Sequence, residues 1–502
     1  MKAIQTWIIA ATLPAALLAA QPRYTIIDLG ASLPPGWASQ ATFVSNLGVV
    51  TGVATAPDGT QRAALWVGRR LVDISKPGLG GPNSGALGVN FWGQVVGQAE
   101  SADPDPHNEN FCGYGTGKRC LPFAWRGGPM VPLPLLGGNN GAAGPINARG
   151  EAVGIAETGH HDTDAKTGCP STPALNGTGP QYFDFRGAIW GPGAGQPRAL
   201  QPLPGGDTVS MALWINDNGQ AVGISGTCAN TMLPPIAVGP YAVLWDSNGS
   251  VTNLGSLGGT GTTSLLGVGN AALAINNRGQ VVGASALRDN RNNHAFLWTR
   301  ETGMRDLGTL AGFGSSAAVG INARGDAVGT SYDPGVAIPE LNLTATVWRN
   351  GEIADLKQLS VGISPFDLLF FATGINDAGL IAGFGLTNSG DLHAFLAIPS
   401  GVVTATDNVA PATGASFHSL AIPSAERSGG DGKEGWPHRV VGPPQQEFHG
   451  RAANATLAGA HTAARVELGG APAGVLAQAR QGDVFATADQ GRGVGQQFQL
   501  AP

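Results

Sequence analysis

The stretch Ile275-Asn276-Asn277-Arg278-Gly279-Gln280-Val281-Val282-Gly283 decides the fold, because its pattern of apolar–Asn–x–x–Gly–x–Val–Val–Gly occurs seven times along the chain. Close copies begin at Ile321, Ile215 and Ile146. Ile375 opens a fifth, and Val89 a sixth in which Trp92 stands where a polar turn residue is usual. The first copy, Ser45-Asn46-Leu47-Gly48-Val49-Val50-Thr51-Gly52, reads as degenerate, with Asn46 in the Asn place and the turn one residue short. Asn at the first position and Gly at the fourth suit a type I turn followed by a left-handed residue. That is the three-residue hairpin loop with a bulge, so each copy predicts strand, tight turn, strand.

Working outward, a third strand follows each copy and usually ends in Trp, as in Ala64-Leu65-Trp66, Phe296-Leu297-Trp298 and Thr346-Val347-Trp348. The seventh, Ala394-Phe395-Leu396-Ala397, lacks it. A Gly-containing turn leads to a fourth strand such as Met304-Arg305-Asp306-Leu307. Four strands per repeat is the content of one propeller blade. The seventh repeat stops after its third strand near Pro399, and Tyr24-Thr25-Ile26-Ile27-Asp28-Leu29-Gly30, from the other end of the chain, matches the missing fourth. A strand borrowed from the opposite terminus closes a ring and hides the edges an open array would expose. Asn46, Asn90, Asn147, Asn216, Asn276, Asn322 and Asn376 lie 44 to 69 residues apart, and the shorter spacings fit a propeller repeat of ~40–50 residues. The expected fold is all-β: a seven-bladed β-propeller of four-stranded blades over residues 21–400, its last blade closed by the N-terminal strand.

These residues resemble a known family. The recurring Asn-x-x-Gly-x-Val-Val-Gly, His294-Ala295-Phe296-Leu297-Trp298, Asp306-Leu307-Gly308-Thr309-Leu310 and a second triplet in His393-Ala394-Phe395-Leu396 look like the HAF repeats of bacterial exported proteins. The resemblance spans residues 24–400 and is tightest in the fifth and seventh repeats. It implies an extracellular or periplasmic setting and a propeller-like fold, and it implies no activity.

Composition agrees with a chain of short strands. Charged residues make up 12% of the 502 residues, beside 78 Gly and 35 Pro. Long solvent-facing helices need more charge than that. With a net charge of −6 and no basic stripe, nucleic acid is excluded as an expected partner. Residues 1–20 read as an export signal: Lys2 gives a positive start, and residues 7–20 are almost wholly apolar but shorter than the ~20 residues of a membrane span. No later stretch is apolar enough to span a bilayer, so the mature chain is expected outside the cytoplasm, as a monomer. The tail, residues 401–502, is Ala-, Gly- and Gln-rich and of low complexity; it reads as disordered or weakly structured, with Val484-Phe485-Ala486 as a short strand candidate.

Alternation of strands fixes which loops share a face. First-to-second and third-to-fourth turns lie at one end of the ring and are short. The long insertions fall in the second-to-third connections: residues 100–121, 157–185 and 226–240 in repeats two to four, with a smaller one at 331–341 in repeat six. Those of repeats two to four hold all four cysteines, and the expected pairs are Cys112–Cys120 within one loop and Cys169–Cys228 between neighbours, stapling long loops in an oxidising compartment. They also hold two polar clusters, Asp103, Asp105, His107 and Glu109, and His160, His161, Asp162 and Asp164. These are the candidate ligand-binding residues, weighed against plain solvated loops. No metal-loop spacing supports a metal site, and the cofactor is left unknown. His294 and His393 share a repeat position with Arg62, Arg186, Tyr241 and Thr344, and so read as the first residue of a strand and not as ligands.

Catalytic signatures are missing: there is no Gly-x-Ser-x-Gly elbow, no His-Glu-x-x-His and no Gly-x-x-x-x-Gly-Lys-Ser/Thr, and no catalytic residue is assigned. The leading expectation is an exported binding or scaffold propeller that uses the insertion loops of repeats two to four to hold an extracellular glycan, peptide or protein. The alternative is a polysaccharide-active hydrolase or lyase, which would need two carboxylates ~5–10 Å apart near the central channel.

Overall fold

The computed structural model describes residues 22–161, 163, 169, 181–192, 195–231, 237–261, 268–333 and 342–402, with Val466–Glu467 and Gln478–Ala479. Residues 1–20, Asp162, Asp164, Val484-Phe485-Ala486 and most of 401–502 therefore lie outside it. Among the described residues there is no α-helix and no helix long and apolar enough to cross a membrane.

Each recurring turn is built as its residues require. Its glycine (Gly48, Gly93, Gly150, Gly219, Gly279, Gly325, Gly379) stands at φ between 73° and 91°, where a side chain would be strained. The Asn side chain caps the turn, as when Asn216 Oδ1 accepts the Asn218 and Gln220 amides at 3.0 Å. The closing glycine of the pattern has a separate cause. Gly52, Gly97, Gly154, Gly223, Gly283, Gly329 and Gly383 pair with alanines on the first strand, each followed by a β-bulge. A Cβ on any of them would overlap a carbonyl oxygen of that strand.

The strands form seven four-stranded antiparallel sheets set around an axis, a β-propeller. Blade five shows the plan: Ala271–Ile275, Val281–Ala286, Asn293–Thr299 and Gly303–Gly308, from the axis outward. Blade seven contributes Phe366–Ile375, Ile381–Thr387 and Leu392–Pro399, and Tyr24–Asp28 completes it by pairing Tyr24 with Pro399 through to Asp28 with Phe395. The closing strand expected from the sequence is in place.

Buried apolar side chains gather in one cluster per seam between blades, with a further cluster on the axis. The strand-end tryptophans work in the seams: Trp66, Trp190 and Trp245 donate to the carbonyls of Leu29, Pro134 and Gln201, at the outer edge of the preceding blade. The channel itself is filled. Met211, Leu213, Leu273, Val319 and Phe371, from the first strands of four blades, share the axial cluster, and Phe43 of blade one meets Trp214 of blade four at 5.4 Å.

On the turn face the motif asparagines form a ring of bonds. Asn90, Asn147, Asn216, Asn276, Asn322 and Asn376 each donate Nδ2 to the motif's first carbonyl in the next blade, at 2.9–3.3 Å. The last of these acceptors is Ser45, which also takes the amide of Gly48 and, on Oγ, that of Val49. The first copy is thus full length, with Ser45 and not Asn46 in the Asn place; the reading of a turn one residue short is corrected. A serine hydroxyl cannot cap the turn and also reach the next blade, so between blades one and two the ring is open. Thr42 Oγ1 donating to the Ala86 carbonyl at 2.8 Å helps hold that seam. Trp92 also finds its reason here. Its indole donates to the Ala148 carbonyl at 2.9 Å, as Asn218 does to Asn277 and Arg324 to Asp377 in other blades.

Candidate functional site

The opposite end of the ring carries the insertions, and those of blades two and three meet around buried carboxyl groups. Asp105 starts a turn in the blade-two insertion, accepting the amides of His107 and Glu109 on Oδ1 at 2.8 and 3.0 Å. Glu157 ends the second strand of blade three and accepts the Asn139 and Asn140 amides at 2.9 and 2.8 Å. The Asn140 side chain donates to Asp105, Glu109 and Glu157, while Gln181 Nε2 lies 3.3 Å from Glu109 and 3.0 Å from Glu157. Asp105, Glu109, Glu157, Asn140 and Gln181 are all buried.

Among the described residues no cationic side chain bonds to these carboxyl groups. Burial pushes Glu157 well above the usual carboxylate range, and the neighbouring Glu109 charge pushes it further. Burial also raises Glu109, against the pull of the Tyr182 amide. Both effects favour the protonated form of Glu157, beside Glu109 at the junction of two blades. In blade two, Glu100 does comparable work, accepting from Asn83 at 2.9 Å and from the Thr116 hydroxyl.

Above this network, Tyr182 lies between two imidazoles: His107 at 3.6 Å between ring centres and His161 at 3.9 Å, both nearly parallel to it, with Phe183 edge-on. His161 Nδ1 also meets the Tyr182 carbonyl at 2.7 Å. His160 is exposed and pairs with the buried Asp184 at 3.0 Å. The disulfides join as expected, Cys112 to Cys120 and Cys169 to Cys228, the second tying the insertion of blade three to that of blade four. Phe111 and all four cysteines belong to the axial cluster, so the described parts of the joined insertions form a cap over the channel mouth. Tyr114 reaches down to Gln98, which donates to its hydroxyl at 2.9 Å.

Of the candidate residues, Asp105, His107, Glu109 and His161 come together, whereas Asp103 is exposed at a strand end apart from them. Asp105 and Glu109 are internal struts of the cap and are not open to a ligand. Among the described residues, no group of three His, Cys, Asp or Glu side chains is placed to hold a metal. Sequence reading missed Asn140, Glu157, Gln181 and Tyr182 as partners. One signal was available: an Ala-Glu pair stands two residues beyond the motif's closing glycine in blades two and three alone, at Ala99-Glu100 and Ala156-Glu157. His294 and His393 bond within their own blades, to Asp306 at 2.9 Å and Asp28 at 3.0 Å, which explains the His and Asp of those two repeats.

No protein-family model matches the chain, and no curated protein does. Among solved structures it is similar to a Trypanosoma rangeli sialidase in complex with 2,3-difluorosialic acid, at 11% identity and a TM-score of 0.31 over 72% of this chain; it spans about half, 54%, of that protein's length. It is also similar to the Aleuria aurantia lectin in complex with Fucα1-6GlcNAc, at 9% identity and a TM-score of 0.30, covering 73% of this chain and 97% of the lectin. A third similarity is to AofleA from Arthrobotrys oligospora, at 13% identity and a TM-score of 0.26, covering 68% and 88% of the two chains.

Proposed function

We propose that this chain is an exported propeller of the HAF-repeat kind, working as a binding module that presents its cap over blades two to four to an extracellular glycan, peptide or protein. The observation that carries this reading is the pre-set cap. Insertions from three adjacent blades are joined by a disulfide and a buried carboxyl–amide network, and half-buried His107, Tyr182 and His161 stack on top. Loops ordered in advance lose less conformational entropy when a ligand arrives. Partly open aromatic rings offer apolar faces with polar edges to a partner. Two disulfides suit an oxidising compartment. A glycosidase reading would need its two carboxyl groups open to substrate; Glu109 and Glu157 are instead buried inside the cap.

The test is binding of the whole chain to arrays of extracellular glycans and peptides and to purified cell-surface proteins. The His107→Ala/Tyr182→Ala double variant should lose at least ~10-fold in affinity, a difference of ~1.4 kcal/mol, with an unchanged melting temperature. An Arg278→Ala control on the turn face should bind as the parent does. Loss of binding in the control alone would place recognition on the wrong face and remove this reading.

A further inference from the structure

We infer that a pocket beside the ring's closing seam, apart from the cap, is a binding site for one neutral sugar residue. The connection between the closing strand and blade one supplies Leu33 and Trp37, and blade one supplies Ala54, Arg62, Leu71 and Asp73, around a cavity of about 270 Å³. That lies just below the ~300–1,000 Å³ of pockets for drug-sized ligands, which suits a ligand of one ring.

Arg62 and Asp73 decide the ligand class. The Arg62 guanidinium lies over the Trp37 ring at 5.0 Å, and its NH1 stands 3.6 Å from Asp73 Oδ2. The two form an ion pair without a direct hydrogen bond, and both line the cavity, a donor beside an acceptor. Asp73 is held by Ser75, whose amide and hydroxyl donate to Oδ1 at 2.9 and 2.5 Å, leaving Oδ2 toward Arg62. Neighbouring hydroxyls of a sugar match this pair: one accepts from Arg62 while the next donates to Asp73. The C–H face of the ring then packs on Leu33, Leu71 and Ala54. The two charges offset each other, so a charged ligand gains little over a neutral one.

Comparison with blades five and seven sets the blade-one pair apart. The same repeat position in blades five and seven holds His294–Asp306 and His393–Asp28 in direct contact at 2.9 and 3.0 Å. Only in blade one, of these three, is the pair Arg with Asp, held apart and backed by an aromatic ring. The blade-one second-to-third connection is also short, running from Thr55 to Gln61 without an insertion to cover the cavity.

The experiment is titration calorimetry of the full chain with neutral monosaccharides and short oligosaccharides, after an array screen that includes uronic and sialic acids. Trp37→Ala, Arg62→Ala and Asp73→Asn should each weaken binding by at least ~10-fold. Asparagine keeps the Oδ1 acceptor for Ser75, so Asp73→Asn should hold its melting temperature. His107→Ala/Tyr182→Ala should leave this binding intact. The site is refuted if no neutral sugar binds, if acidic sugars bind more tightly than neutral ones, or if Asp73→Asn and Trp37→Ala both retain parental affinity. Sugar binding lost only in the cap variant would remove this site while sparing the cap reading.

Discussion

Single residues set how firmly the turn face is stitched. Ser45 stands where six other blades have an Asn that reaches the next blade, and the Asn90 carbonyl is the acceptor left without that donor. Ser45→Asn should close the ring and add about 0.5–1.5 kcal/mol, read as a higher denaturant midpoint at unchanged slope. An unchanged or lower midpoint would count against this account of the motif. Glu157 sets a pH response. Its pKa is raised by burial and by the Glu109 charge, so the folded chain keeps a proton that the unfolded chain has released. Stability from this group is complete below the ordinary Glu pKa and is lost as pH rises through the raised value. Glu157→Gln keeps the shape without the charge and should flatten that loss above the ordinary Glu pKa; parallel profiles would show that the pair does not hold a proton. Asp326 has the opposite sign. Burial would raise it, but bonds from Arg349 and Asn322 and the Arg349 and Arg324 charges hold it below the usual range. Its contribution is therefore present above the ordinary Asp pKa and lost as pH falls.

At the scale of elements, the insertions depend on their cross-links more than the blades do. Cys169–Cys228 closes a separation of 59 residues between two blades, and Cys112–Cys120 only 8 within one loop. Chain-entropy reasoning makes the longer loop the more stabilising, within a typical ~2–4 kcal/mol per bond. Cys169→Ala/Cys228→Ala should therefore lower stability more than Cys112→Ala/Cys120→Ala, measured by chemical denaturation; the reverse order would mean that native contacts of the shorter loop dominate. The strands themselves were legible in the sequence because their signals are local. A turn needs Asn and Gly three residues apart, and a bulge facing glycine needs the small residue that every blade supplies: Ala41, Ala86, Ala143, Ala212, Ala272, Ala318 and Ala372. Anchoring on that alanine, four residues before the motif's first turn residue, would have identified Ser45 from sequence alone.

For the whole molecule, closure is the decisive event. Tyr24–Asp28 covers the edge of blade seven and packs Tyr24 and Ile26 into the seam with blade six. Every blade is complete by Pro399 without any later residue. A chain ending at Val402 should therefore melt within a few degrees of the full chain, whereas one lacking residues 22–30 should lose the cooperative transition, both followed by calorimetry. A large fall in melting temperature on removing residues 403–502 would assign the tail a place in the ring.

The sequence by itself determined the blade count, the strand order, the borrowed closing strand and the cysteine partners, because each rests on a repeated local pattern or on which loops share a face. The tertiary structure decided the rest. Asp105 and Glu109 read as candidate ligands yet became struts, since Asn140 and Gln181 reach them from 31 to 72 residues away in the chain. The pocket of Trp37, Arg62 and Asp73 was equally unreadable, for it joins a connection to a blade that follows it. Turn chemistry is written in adjacent residues and repeats with the blade. Contacts between insertions occur once, follow no period, and exist only after the ring has closed and brought their blades side by side.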